Sequence, residues 1–158
     1  MPKAGGALPM SVEASSTTET RTGTARIALL VLTLMLAGRA MTLAFISRAG
    51  GSGPSDPPAA WLMPLLGDAV IGVSALLVAA LLLRGRSLAA WAVVVAWNAV
   101  AIWDALSAFT IHVVAPWPSF FMIRTFGPSM FFAASAMHAA CIYLAFRPEV
   151  RQRFGVGG

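Results

Sequence analysis

Residues Val93–Phe109 read VVVAWNAVAIWDALSAF. Asn98 and Asp104 stand here in a run otherwise built of valine, alanine, isoleucine, leucine, tryptophan and phenylalanine with a single serine. Extended outward, the apolar character continues from Leu88 to Val114. That is enough helix to cross a hydrocarbon core of about 30 Å, which takes roughly 20 apolar residues. A charged side chain at the centre of such a helix costs on the order of 2.5–3.5 kcal/mol, so Asp104 requires a partner on a neighbouring helix. Two questions follow: how many spans of this kind the chain contains, and which of them supplies the partner.

Composition answers the first in outline. The chain has 158 residues, 58% hydrophobic and 11% charged, with a mean hydropathy of +0.79. Soluble domains carry roughly a quarter charged residues, so this balance belongs in a lipid bilayer. The net charge of +5 and a pI near 11.1 do not signal nucleic-acid binding, because the basic residues neither gather on one face nor alternate with exposed aromatics. Cys141 is the single cysteine, which excludes an intrachain disulfide and dithiol redox chemistry.

Four spans are predicted, at about 26–47, 61–83, 88–114 and 120–146, within a transmembrane domain covering 25–146. The predicted fold class is all-α, an antiparallel four-transmembrane-helix bundle. Residues 1–24, rich in Gly, Ser, Thr, Ala and Pro, read as a flexible polar tail, and 147–158 as a second tail. A cleaved signal peptide is the alternative for the first span, since Ser47-Arg48-Ala49 loosely fits a small-x-small site; the length of the span and Arg39 within it favour a retained helix. The Gly/Pro/Ser stretch 48–60 is a loop, and Pro128 is expected to kink the fourth span.

Lysine and arginine set the expected orientation. Lys3, Arg21, Arg26, Arg84, Arg86, Arg147, Arg151 and Arg153 fall on one side of a four-span topology, while the other two connections carry only Arg48. The positive-inside rule then places both termini in the cytoplasm, with the protein in a bacterial cytoplasmic (inner) membrane. Trp61 and Trp117 are expected at the outer interface and Trp91 near the inner one, as an aromatic belt.

At about 1.5 Å per residue from the outer end of each span, Arg39 and Asp68 lie ~11–12 Å deep, Asp104 ~16 Å and Arg124 ~6 Å. One charge from each helix, summing to zero, is expected to form an intramembrane ionic layer of Arg39, Asp68, Asp104 and Arg124. Such a layer serves either as interhelical glue or as the floor of an outward-facing polar cavity that binds a ligand or relays protons. Arg124 lies close enough to the interface to snorkel out alone. Asn98 and His138 lie ~25–27 Å deep, and with Ser135 form a second, inner polar group. His138 is also the one candidate axial ligand for haem or a chlorophyll-type pigment; His112 falls at the opposite face, so bis-His ligation within one chain is excluded, and no metal site is predicted. Gly72, Ala75 and Ala79, in line with Asp68, form a helix-packing stripe on the second span, and Ala92, Ala96 and Ala99 a similar one on the third.

Gly67-Asp68-x-x-x-Gly72, Trp97-Asn98 followed by Asp104, and His138 followed by Tyr143-Leu144 resemble a widespread family of bacterial four-helix integral membrane proteins of uncharacterised activity. The resemblance covers about 61–146 and implies the architecture without a reaction. A looser likeness, by analogy only, is to the DoxX-like group, whose arginine on the first span and acid on the second correspond to Arg39 and Asp68; in that group the acid is usually glutamate.

No nucleophile with its base, no Gly-rich phosphate loop and no soluble domain is present, so the chain is not expected to be an enzyme. Its expected role is an accessory or scaffold subunit of a larger membrane complex, with the bilayer and other membrane subunits, or a second copy of itself, as partners. A small transporter or lipophilic-ligand module using the Arg/Asp layer is the alternative, and a pigment- or haem-holding subunit through His138 the second alternative.

Overall fold

A computed structural model of the chain describes residues 12–156, with side chains from Gly23 onward. The described residues are helical and contain no strand. Helix α1 spans Val12–Leu36, passes through a 3-10 segment at Ala37–Thr42 and resumes as the short α2, Leu43–Ile46. A 3-10 turn at Ala59–Trp61 opens α3, Leu62–Arg84, and α4 is Leu88–Val114. The last apolar stretch is divided into α5, Phe121–Phe126, and α6, Ser129–Ala145; α7, Pro148–Arg153, closes the described chain.

Three helical stretches are long and apolar enough to cross a membrane: Gly23–Ile46, Ala59–Arg84 and Leu88–Val114. The fourth expected span is not one continuous helix. Gly127 adopts φ 60°, a left-handed conformation open to glycine, and Pro128 lacks the N–H that would continue the α5 ladder. The expected kink is therefore a full break, and α6 alone has 17 residues, short of the roughly 20 needed to span. Helix α1 also begins well before Arg26, inside the stretch read as a flexible tail, because extending an existing helix costs far less than nucleating one; residues 1–11 of that tail, and 157–158 of the other, lie outside the described residues.

Capping and close approach set the helix positions. Ser87 sits extended before α4 and its hydroxyl accepts the Ala90 N–H at 3.3 Å, satisfying one orphan donor. Gly72 on α3 lies where the 3-10 segment crosses; a methyl group there would overlap the backbone nitrogen of Ala40. Together with Ala75 and Ala79, both buried, it spends the small-residue stripe of α3 on packing within the chain.

Helix α4 packs mainly on α6 and α3, and α1 on α3 and α6. Two apolar clusters form at opposite ends. One joins Leu29, Val78, Leu82, Val94, Ala145 and Phe154; the other joins Trp61, Leu65, Trp117, Phe120, Ile123 and Phe131. Trp61 and Trp117 are buried here rather than arrayed as a lipid-facing belt: their indole N–H groups hold Ala115 O at 2.7 Å and Ser55 O at 3.3 Å, tying two connections to the bundle. Large apolar side chains such as Leu77 (69% exposed) and Trp103 (74% exposed) point outward from the helices, the inverse of a soluble surface and the pattern of a chain solvated by acyl tails.

Candidate functional site

Between the two apolar clusters lies a polar network drawn from four segments. The 3-10 winding of Ala37–Thr42 tightens the chain around Arg39, and Thr42 fixes it: its hydroxyl lies 2.8 Å from Arg39 O and 3.2 Å from Leu65 O on α3. From this position the guanidinium reaches three other helices. Its Nε donates to Asp68 Oδ1 of α3 at 2.5 Å, Nη2 donates to Asp104 Oδ2 of α4 at 2.6 Å and also pairs with Asp68, and Nη1 lies 3.0 Å from His138 Nε2 of α6. All three nitrogens of one fork are engaged. Gly67 makes room for this arrangement, since a methyl group at that position would overlap Asp104 Oδ1.

The partners assign the histidine tautomer. A guanidinium can only donate, so His138 Nε2 is the bare acceptor and the proton sits on Nδ1. Nδ1–H donates to Asn98 Oδ1 at 2.9 Å, and Asn98 Nδ2 donates to Val94 O at 2.8 Å. Both Asn98 and His138 are completely buried, with Trp97 edge-on to the imidazole at 5.3 Å and its own N–H on Ser74 Oγ at 2.8 Å. His138 is thus neutral, and both ring nitrogens are occupied. Neither is free for an axial bond to haem or a pigment.

Five of the residues singled out in the sequence come together: Arg39, Asp68, Asp104, Asn98 and His138. They form one connected network rather than two separate levels, because the arginine side chain bridges the depth that separates Asp104 from His138. Arg124 is not part of it. It sits on α5, exposed, and among the described residues forms no ion pair, because the break at Gly127–Pro128 removes α5 from the axis of α6. Ser135 also stands apart, donating to Phe131 O of its own helix at 2.9 Å instead of to Asn98 or His138. Among the described residues no group of three His, Cys, Asp or Glu is disposed to hold a metal ion.

Without Arg124 the expected zero sum fails. One guanidinium faces two carboxylates and a neutral imidazole, so the network carries a net charge of −1 when both acids are ionised. It is also not sealed. Asp68 and Arg39 stand at the edge of a cavity of about 400 Å³ between the α1/3-10 segment and the broken α5–α6 stretch. Five methionines, Met35, Met41, Met122, Met130 and Met137, contribute to its otherwise apolar walls. Unbranched thioether side chains adapt to irregular apolar shapes, which is why methionine recurs at permissive binding surfaces. Sequence reading missed this cavity because its methionines lie on segments far apart in the chain; the Gly127-Pro128 dipeptide was the one local sign that the fourth stretch would divide and open a cleft.

The chain matches no family model, no curated protein and no solved structure. What the site does must therefore be read from its geometry.

Proposed function

We propose that the chain is a non-catalytic integral protein of a bacterial cytoplasmic membrane that binds a lipophilic cation in the methionine-lined cavity. In this reading α5–α6 serves as the fourth, broken membrane segment and both termini are cytoplasmic. The orientation is supported by the gathering of Arg26, Arg86 and Arg153 around a single cavity at one end of the bundle. At the other end Arg48 is neutralised within its own loop by Asp56 at 2.7 Å.

One observation carries the ligand class: an apolar cavity whose polar edge is an ion cluster that carries one negative charge in excess when both of its acids are ionised. Pockets of this kind take an apolar body and orient it through a few polar groups. Arg39 has no nitrogen to spare, so Asp68, with a quarter of its side chain exposed, presents the accessible charge. An apolar cation entering there balances the cluster in a medium where uncompensated charge is costly.

The test is equilibrium binding to the full chain in nanodiscs, with empty nanodiscs as the partition control. Tetraphenylphosphonium is expected to bind saturably, its size-matched anion tetraphenylborate not, and Asp68→Asn to abolish the difference. Equal uptake of both ions by protein and empty nanodiscs refutes the proposal.

A second reading, an accessory subunit of a larger membrane complex, is supported by the outward stripe of α4: Ala92, Ala96 and Ala99 are all exposed and lie in line with Trp103. Small residues at this spacing let a partner helix approach closely. Co-purification from native membranes at fixed stoichiometry, lost on Ala96→Leu, supports that reading, and elution as a lone monomer refutes it.

A further inference from the structure

At the end of the bundle where α3 stops and α4 starts, three guanidinium groups surround one cavity of about 690 Å³. Arg26 comes from α1, Arg86 from the α3–α4 connection and Arg153 from the last turn of α7. Arg26 and Arg153 both donate to a single acceptor, Leu83 O, at 3.3 and 2.7 Å. That carbonyl belongs to the last turn of α3, whose oxygens have no partner within the helix. Satisfying one carbonyl does not require two cations, and bringing like charges together is unfavourable. Their convergence is imposed by α7, which folds back so that Val150 and Phe154 are buried against Leu29, Leu82 and Ala90.

The cavity keeps unspent donors. Arg153 Nε is buried without a hydrogen-bond partner among the described residues, although buried polar atoms are normally satisfied. Burial, and after it the charges of Arg26 and Arg86, work against the charged form of Arg153 and push its pKa below the usual arginine range. One acid, Glu149, also lines the cavity; its Oε1 is 3.7 Å from Arg147, so it is drawn toward a fourth arginine. Three positive charges against one negative leave the cavity in want of an anion.

We infer that Arg26, Arg86 and Arg153 form a binding site for a phosphate group. Guanidinium forks match phosphate oxygens in spacing and charge, and an anion here compensates three groups at once. The floor indicates the source. Leu29, Leu82 and Phe154 give the cavity an apolar floor, and Leu83 and Leu88, next in the chain to Leu82 and near Arg86, are exposed, so the phosphate of an anionic phospholipid can sit among the arginines while its chains run down the outer face of the helices. The inference is independent of the cation cavity, which lies against the other half of the bundle.

The full chain in mild detergent is titrated with short-chain phosphatidylglycerol, with the matching phosphatidylcholine and with inorganic phosphate, following thermal unfolding. Phosphatidylglycerol is expected to stabilise and phosphatidylcholine not. Arg86→Gln is expected to weaken the phosphatidylglycerol effect about fivefold, the share of one basic residue at an anionic surface. Arg86 is exposed and makes no hydrogen bond to the bundle among the described residues, so its loss tests charge rather than folding; Arg153→Gln provides the second variant. Stabilisation by inorganic phosphate at equal strength assigns the site to a soluble phosphate instead and still supports it. Equal stabilisation by both lipids, no stabilisation by any probe, or an Arg86→Gln protein indistinguishable from wild type overturns the inference.

Discussion

Replacing Arg39 by methionine is the most direct perturbation of the core. The guanidinium is the single cation of the network, bonded to Asp68 at 2.5 Å, Asp104 at 2.6 Å and His138 at 3.0 Å. Methionine keeps the bulk and removes every one of these bonds, leaving two carboxylates side by side with no counter-charge. The side chains concerned are 13%, 25% and 15% exposed, too little for water to take over the lost solvation. Breaking a buried ion pair from one side costs about 3–5 kcal/mol. Against a total stability of order 5–15 kcal/mol, that is roughly a fifth of the fold or more. Unfolding titrated with a denaturing detergent, read by tryptophan fluorescence, measures the loss. Arg39→Met combined with Asp68→Asn and Asp104→Asn removes the uncompensated charges together and is expected to recover most of it, since replacing a whole buried ionic group by neutral residues is close to neutral. An Arg39→Met protein within about 1 kcal/mol of wild type, or a triple variant no more stable than the single one, refutes the charge accounting.

Gly67→Ala drives a methyl group into Asp104 Oδ1, and the same unfolding assay is expected to show a loss of about 1–3 kcal/mol; Gly72→Ala, which meets the Ala40 backbone rather than a movable side chain, is expected to lose more. Asn98→Leu strands the buried Nδ1–H of His138 at a cost of about 1–3 kcal/mol. Adding His138→Leu is expected to cost less than the sum of the two single changes, and strict additivity in this double-mutant cycle denies the bond. In the connection before α3, the Gly53 N–H and then Arg48 hold the Asp56 carboxyl below its ordinary 3.8. A depressed folded pKa gives a contribution that is present above the ordinary value and lost as pH falls through the lower one. NMR titration is expected to show the Arg48–Asp56 pairing intact through pH 4, and a midpoint above 3.8 contradicts it.

Much of this could be seen in the sequence, for identifiable reasons. Long, predominantly apolar runs, such as those around Val78 and Val100, define helices by themselves, and the cost of an unpaired charge in lipid pointed Asp68, Asp104 and Arg39 inward. Depth counting assumes a straight, unbroken helix with a fixed rise. It therefore misjudged Arg124, which lies beyond the Gly127–Pro128 break, and it separated Asp104 from His138 because it treats a long arginine side chain as a point. Ser135 satisfied every sequence criterion for joining His138, yet the carbonyl one turn back in its own helix is always within reach of a serine hydroxyl. The methionine cavity and the arginine-lined cavity depend on contacts between distant segments, and apart from the Gly127-Pro128 dipeptide beside the first no local pattern announces either.

The hydrogen bonds leading away from Arg39 all point the same way: guanidinium to imidazole, imidazole to the Asn98 amide, amide to the Val94 carbonyl. The last two members neither take up nor release a proton near neutrality, so the row is a blind alley for protons. Protons that reach the carboxylates from the cavity find no way onward along this row. If this scaffold couples ligand movement to a proton gradient, the coupling has to come from helices that re-expose Asp68 and Asp104, because among the described residues the row that leaves Arg39 stops at the Val94 carbonyl.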